Sequence, residues 1–166
     1  MTISLKALGI SALFATGFAV SLTGGAVAAD ATAGEKVFKR CKACHTVGPE
    51  AKNKVGPHLN GIVGRAAGVA AGFKYGTGII EARGEVGEDA DGDGYLDTPE
   101  GFDGLVWTEE TLFGYLENPK KYLIEVTGNS KAKARMALRL KKEDQRKDVI
   151  AYLKTIGLDG NAAPAE

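Results

Sequence analysis

Cys41-Lys42-Ala43-Cys44-His45 has the spacing C-x-x-C-H, which is the attachment signature of a c-type haem. The two thiols add to the two vinyl groups on one porphyrin edge, so they must lie a short step apart along the chain. His45 then falls beneath the iron and can ligate it through Nε2, while its other ring nitrogen stays free for a hydrogen bond. The motif therefore predicts one covalent haem c, bound by Cys41, Cys44 and His45.

The alternatives for this motif are a redox dithiol and half of a zinc site. A zinc site needs more ligands, but the sequence has no other cysteine and only one other histidine, His58. A thioredoxin-like dithiol follows a buried strand, and no such strand precedes Cys41. His58 is expected to be a solvent-facing loop residue, with an axial iron ligand and a contact to a haem propionate as alternatives.

The amino terminus has the pattern of a secretory signal peptide over residues 1–29. Its only charge is Lys6, an uncharged stretch follows, and it ends in Ala26-Val27-Ala28-Ala29. Cleavage is expected after Ala28 or Ala29, and an uncleaved membrane anchor is the alternative. Export to the periplasm suits haem attachment, because bacteria form the thioether bonds outside the cytoplasm. Since both cysteines are used by the haem, no disulfide is expected.

Apolar periodicity and capping residues predict an all-α domain over residues 30–157 and a flexible tail over 158–166. Residues 46–72 are rich in glycine and proline and show no regular period. A loop of this length in a compact domain needs something to wrap, and a haem supplies it. The predicted helices lie at 33–42, 78–82, 108–118, 119–124 and 142–156.

The segment from Asp89 to Glu100 matches the calcium loop of an EF-hand, D-x-D-x-D-G-x5-E, at every position. It lies in an acidic insertion at about 83–104 that no clear helix flanks, so an acidic solvated segment is the alternative. An isolated loop loses more entropy on ordering, so weak calcium affinity is expected. The predicted ligands are the carboxylates of Asp89, Asp91 and Asp93, the carbonyl of Tyr95, Asp97 directly or through water, and both oxygens of Glu100.

Met136 is the candidate for the sixth iron ligand. Met1 leaves with the signal peptide, so Met136 is the only methionine of the mature chain. A thioether is a soft ligand that favours ferrous iron and raises the reduction potential. Without a haem, a methionine at this place would be interpreted as a core residue.

Further stretches follow one another along nearly the whole mature chain. They are Val55-Gly-Pro-His-Leu-Asn-Gly61 with Gly64-Arg65, Gly72-Phe-Lys-Tyr75, Trp107-Thr-Glu-Glu-Thr-Leu112, Tyr115-Leu-Glu-Asn-Pro-Lys-Lys-Tyr122, Arg135-Met136 and Asp148-Val-Ile-Ala-Tyr-Leu-Lys154. Together with C-x-x-C-H, they resemble the class I cytochromes c, of the larger soluble bacterial kind that is similar to mitochondrial cytochrome c. The resemblance implies an all-α fold of a few helices and long loops wrapped around one covalent haem.

The resemblance also implies roles for matching positions. It departs at Ala134, where the family often has a threonine that bonds a propionate, and at the acidic insertion, on which it says nothing. The implied roles are the carbonyl of Pro57 as acceptor for His45 Nδ1, propionate bonds from Arg65, Tyr75 and Trp107, a bond from Tyr115 to the Met136 sulfur, and a helix contact of Gly34, Phe38 and Tyr152.

The charges are segregated along the chain although they cancel in total. Residues 30–80 and 118–166 each carry a net charge of +5, whereas residues 81–117 carry −11. In the resembled family, a ring of lysines around the exposed haem edge docks acidic redox partners; solvated helix faces are the alternative. The candidates for this basic ring are Lys39, Arg40, Lys42, Lys120, Lys121, Lys131, Lys133, Arg135, Lys141 and Lys142.

The expected function is a soluble periplasmic one-electron carrier. The resemblance implies that it shuttles electrons between a quinol–cytochrome c oxidoreductase and a terminal oxidase or photosynthetic reaction centre. We expect a monomer, and the exported compartment argues against nucleic-acid binding. The protein is expected to be no enzyme, because His45 and Met136 would fill both axial positions. The alternatives are a haem enzyme or gas sensor with an open sixth position, and a calcium-responsive module.

Overall fold

The computed structural model describes residues 28–163 and contains five α-helices in that range. Residues 28–163 form no β-strand, only isolated bridges such as Ala70–Tyr95. The predicted all-α class is therefore confirmed, while the predicted signal peptide lies almost wholly outside the described residues. The helices are α1 Ala31–Phe38, α2 Thr77–Arg83, α3 Glu109–Glu117, α4 Pro119–Thr127 and α5 Glu143–Lys154.

No helix among the described residues combines the length and the apolar character that crossing a membrane requires.

Side-chain caps set the helix boundaries. α1 begins two residues before the predicted start, because the Asp30 carboxylate accepts a hydrogen bond from the Thr32 N–H at 2.7 Å. It ends at Phe38 rather than at residue 42, since the chain then turns more tightly into the C-x-x-C-H motif. Asn118 ends α3 and caps α4, whose first residue is Pro119.

α1 and α5 cross in direct backbone contact at Gly34. A Cβ added there would lie 1.9 Å from the Asp148 carbonyl oxygen and 2.8 Å from the Tyr152 Cβ. One turn later, Phe38 is fully buried with its ring centroid 5.2 Å from that of Tyr152. Only a residue without a side chain allows this approach, so the crossing fixes where the C-x-x-C-H segment leaves α1.

The buried faces of α3 and α5 contribute both to the hydrophobic core and to the lining of a cavity. Leu112 and Leu116 of α3 and Val149 and Leu153 of α5 belong to the core, and all four line this cavity. The core and the cavity therefore share these side chains.

The long loop 46–72 is held in place by hydrogen bonds rather than by secondary structure. The Asn60 side chain joins both backbone groups of Gly48, at 2.9 and 3.0 Å, and the Gly61 N–H donates to the Ile156 carbonyl at 3.1 Å. Residues 158–163, predicted to be part of a flexible tail, are hydrogen-bonded as well, for example from the Ala163 N–H to the Thr155 carbonyl at 2.9 Å.

Replacing Gly34 by alanine should force α1 away from α5 and lower the free energy of unfolding by roughly 1–3 kcal/mol. Urea denaturation of the purified protein measures this change. Gly87→Ala is the matched control, because its Cβ would lie 3.5 Å from the Asp97 Cβ, an ordinary contact. The control should stay within about 0.5 kcal/mol of the wild type, and equal stabilities of the two variants would contradict the role of Gly34.

Candidate haem site

The apolar cavity has a volume of about 330 Å³ and brings together distant parts of the chain. Cys41, Cys44 and His45 line it, and so does Met136 from the loop before α5. The structure thus places the predicted attachment residues and the predicted sixth ligand on the wall of one cavity.

The C-x-x-C-H motif lies in tight turns directly after α1. The Cys44 and His45 N–H groups both donate to the Cys41 carbonyl, at 3.0 and 2.9 Å. Neither cysteine forms a disulfide, and burial raises the pKa of the Cys41 thiol. Two unpaired cysteine side chains on the wall of one apolar cavity are what thioether attachment needs.

Pro57 and Gly56 fix the orientation of the His45 ring. Nδ1 of His45 lies 2.7 Å from the Pro57 carbonyl oxygen, which can only accept, so Nδ1 carries the proton and donates. Nε2 is then left with its lone pair, and burial lowers the pKa of the imidazole. A Cβ on Gly56 would lie 2.3 Å from the His45 Cε1. This neutral tautomer is the form that ligates iron.

Met136 is partly buried and is carried by a loop that packs against the start of α2. The Gly78 N–H donates to the Lys133 carbonyl at 3.2 Å, and the Arg135 guanidinium donates to the Lys74 carbonyl. These bonds tie the Lys133 backbone and the Arg135 side chain, which lie next to Met136 along the chain, to the segment around the start of α2. The bond from the Met136 sulfur to iron stays a prediction.

A polar wall completes the cavity. Arg65 is 8% exposed and donates from Nη1 to the Asn60 carbonyl at 2.7 Å and from Nη2 to the His58 carbonyl at 3.2 Å. Its Nε is buried without a hydrogen-bond partner, and burial lowers the pKa of the guanidinium. A buried cation with a spare N–H donor suits an anionic group such as a propionate.

Tyr75, Trp107 and Tyr115 also line the cavity. The Tyr75 hydroxyl accepts from the Ala70 N–H at 3.1 Å, and Trp107 and Tyr115 pack with ring centroids 4.8 Å apart. Burial raises the pKa of both tyrosines, which keeps their hydroxyls protonated as donors. The propionate bonds of Arg65, Tyr75 and Trp107 and the Tyr115–Met136 bond stay predictions.

These residues fit a covalent haem c. The cavity offers two thiols, a neutral imidazole whose Nε2 is free, a thioether, an apolar lining and a buried cation. Each group matches one chemical feature of the cofactor: vinyl groups, axial iron positions, porphyrin faces and propionates.

His58 is not the solvent-facing residue that the sequence predicts. It is partly buried, its Nδ1 has no hydrogen-bond partner, and its ring centroid lies 5.3 Å from that of Tyr95. Burial and the charge of Arg65 lower the pKa of its imidazole. The difference arises because the acidic insertion, distant in sequence, folds over this part of the loop.

Only part of the predicted calcium loop converges. Carboxylate oxygens of Asp89, Asp91 and Asp93 lie within 4.8 Å of one another, while Asp97 and Glu100 stand outside this group within the described chain. The Asp89 Oδ1 is buried and has no hydrogen-bond partner. The loop has no flanking helix pair, since α2 ends at Arg83 and α3 begins at Glu109.

The side chain of Tyr95 is the feature that sequence reasoning missed. The EF-hand pattern assigns only its backbone carbonyl, but the side chain is buried and reaches the wall that contains Arg65. An aromatic residue within an acidic run was the available signal.

All residues of the basic ring are exposed. Two of them, Arg40 and Arg135, also line the cavity, so positive charge lies at its border. Lys121 forms an exposed ion pair with Glu125 at 3.5 Å, which contributes little to stability.

Known proteins resemble this chain over almost their whole length. Cytochrome c2 iso-1 of Rhodospirillum centenum is 43% identical over 132 residues, covering 76% of this chain and 95% of that protein. Cytochrome c-550 of Paracoccus versutus is 40% identical over 164 residues, covering 93% of this chain and 95% of that protein. No family model matches the chain.

The fold agrees with these relatives. The solved structure of cytochrome c2 from Rhodospirillum centenum matches with a TM-score of 0.63 and 38% identity, covering 77% of this chain and 98% of that one. The resemblance and the class I cytochrome c fold inferred from the sequence are thereby confirmed. On the strength of these relatives, the chain belongs to the class I c-type cytochromes of the cytochrome c2 and c-550 kind.

Proposed function

We propose that this cytochrome is a periplasmic one-electron carrier whose haem iron is held by His45 and Met136. Membership of the cytochrome c2 family supports electron transport with a haem c. The observation that carries the finer proposal is the shared cavity, which His45, with Nε2 free, and Met136 both line.

The bound haem supplies Fe(III)/Fe(II) chemistry, and the protein residues set its conditions. Pro57 holds the His45 ring in one tautomer and orientation, so Nε2 would be presented to the iron in the same way in both oxidation states. A thioether ligand from Met136 would favour the ferrous state. If His45 and Met136 both held the iron, no site would be open for a substrate, and the protein would be a carrier rather than an enzyme.

The basic ring is proposed to dock the redox partners. Its side chains are exposed, and Arg40 and Arg135 border the cavity, so an acidic partner surface would be steered towards the haem edge. The proposed partners are a membrane quinol–cytochrome c oxidoreductase and a terminal oxidase or photosynthetic reaction centre. The carrier works as a soluble monomer that is exported by a signal peptide cleaved after Ala28 or Ala29, and it binds no nucleic acid.

We further propose that the loop from Asp89 binds calcium weakly. The oxygens of Asp89, Asp91 and Asp93 converge, and the buried Asp89 Oδ1 lacks the partner that a cation would supply. Asp97 and Glu100 would have to move inwards to add ligands, which costs ordering entropy.

Met136→Ala should abolish the weak red absorption band that reports iron–methionine ligation and lower the reduction potential. The physical reason is that no thioether remains to hold the sixth position. Optical spectra of both oxidation states and a redox titration measure this change. Leu138→Ala is the matched control, because Leu138 lines the same cavity without a ligating atom.

The control should keep the band. A wild-type protein that lacks the band, has high-spin iron and binds carbon monoxide rapidly when reduced would overturn the carrier proposal. That result would favour a haem enzyme or a gas sensor over an electron carrier.

Charge reversal in the basic ring should slow electron transfer to an acidic partner. For Lys133→Glu we expect a rate constant about fivefold lower at low salt, the size of an effect of about 1 kcal/mol. The difference should vanish as salt rises, because screening removes steering. Stopped-flow kinetics against ionic strength measures it, and Lys147→Glu, an exposed site outside the ring, is the control. A flat salt dependence of the wild type contradicts docking at this ring.

Calcium should bind the wild type with a dissociation constant of about 10⁻⁴–10⁻³ M, the weak end of the EF-hand range. Calorimetric titration of the haem-loaded protein measures it. Asp89→Asn should abolish binding, whereas Asp103→Asn, an exposed residue of the same insertion outside the cluster, should not. Absence of heat from the wild type well above this range would refute the site.

A further inference from the structure

One side chain of the acidic insertion, that of Tyr95, is buried in the protein core. Tyr95 is 8% exposed, although its neighbours in the insertion are mostly exposed acids and glycines. Backbone bonds hold it on both sides: the Gly94 carbonyl accepts from the Ala71 N–H at 2.8 Å, and the Leu96 N–H donates to the Val69 carbonyl at 2.7 Å. Its position is therefore fixed by the long loop and not only by the insertion.

The Tyr95 ring lies against the guanidinium of Arg65. The Arg65 Cζ is 5.0 Å from the ring centroid, within the range of a cation–π contact. The Tyr95 hydroxyl lies 3.3 Å from two carbonyl oxygens, those of Asn60 and Leu158, and the Asn60 oxygen also accepts from Arg65 at 2.7 Å. The Asn60 carbonyl is therefore within reach of both side chains, and Arg65 keeps its bond to it whichever acceptor the single hydroxyl proton uses.

Arg65 is the buried cation of the cavity wall, and its contacts hold the guanidinium in one position. Two carbonyls accept from its terminal nitrogens, and Tyr95 covers its face. The three contacts come from different segments: the carbonyls of Asn60 and His58 belong to the long loop 46–72, whereas the Tyr95 ring belongs to the acidic insertion. Removing the ring would leave the carbonyls in place but open the guanidinium to water.

We propose that Tyr95 is a positioning residue: by covering the Arg65 guanidinium, it holds that charge in the cavity wall and so raises the reduction potential of the haem. This inference rests on the proposed electron-carrier function. It gives the acidic insertion a part in the redox site, independently of whether the insertion binds calcium.

Electrostatics gives the direction in which the reduction potential should shift. Reduction of the haem removes one positive charge, so a fixed cation nearby favours the ferrous form. A guanidinium that turns out to solvent loses this effect, because water screens its charge. Water that enters beside it also favours the more highly charged ferric form. Both changes lower the potential.

The test is a redox titration of the haem-loaded protein with three substitutions of Tyr95. Tyr95→Leu and Tyr95→Met remove the ring and should shift the ferric/ferrous equilibrium three- to tenfold towards ferric, where tenfold corresponds to about 59 mV for one electron. Tyr95→Phe keeps the ring and should restore a potential close to that of the wild type. Tyr152→Leu is the control for loss of an aromatic side chain, and it should lower stability without changing the potential.

A second measurement separates positioning from a general effect. In an Arg65→Gln background, Tyr95→Leu should leave the potential unchanged, because the group on which the ring acts is gone. A shift of the same size in both backgrounds would overturn the proposal. So would an unchanged potential in a folded Tyr95→Leu or Tyr95→Met protein, or failure of both to hold haem, which would make Tyr95 a structural residue only.

These outcomes are separate from the failure of the carrier function. Iron ligation by Met136 is judged on the spectrum of the wild type, whereas the titrations compare Tyr95 variants that all keep Met136. If the wild type shows the methionine band but the Tyr95 variants have the wild-type reduction potential, this inference is refuted and the carrier function is not.

Discussion

The hydrogen bond between His45 and Pro57 is the constraint on which the site depends. The C-x-x-C-H turn can place the two thiols and the imidazole by local geometry, but it cannot choose a tautomer for the ring. The Pro57 carbonyl does so at 2.7 Å, and Gly56 allows the loop to pass directly against the imidazole. The loop 46–72 must therefore fold back against the C-x-x-C-H motif, and its internal hydrogen bonds stabilise that conformation.

The same constraint explains why the core is arranged around a cavity. Helices of 7–12 residues bury little area by themselves, and the apolar faces of α3 and α5 line the cavity in addition to contacting each other. Close contact is concentrated where α1 crosses α5 at Gly34. Stability thus depends on one tight helix crossing and on whatever fills the cavity, which links folding to haem attachment.

Most of the fold can be predicted from local signals in the sequence. The C-x-x-C-H motif, the Thr108 and Asn118 caps and the single mature-chain methionine each act within a few residues or by elimination. The predicted start of α1 is two residues too late, because the Asp30 side chain caps the helix. For Tyr95 the sequence offers a signal for burial, an aromatic residue within an acidic run, but not its contacts. Its hydroxyl partners lie 35 and 63 residues away, so only tertiary folding reveals them.

The insertion shows how a segment outside the common fold can become part of a site. An acidic, glycine-rich loop needs no buried aromatic side chain to stay in solution, and burying one restricts the loop at a cost in entropy. That cost is offset by burial of the ring, by the contact with Arg65 and by the backbone bonds to Val69 and Ala71. All the acidic side chains of the insertion except Asp89, which is partly buried, are exposed, while its single tyrosine reaches the one buried cation of the cavity wall. An isolated calcium loop would explain the carboxylates but not this anchor, and a role in the redox site explains the anchor with or without calcium.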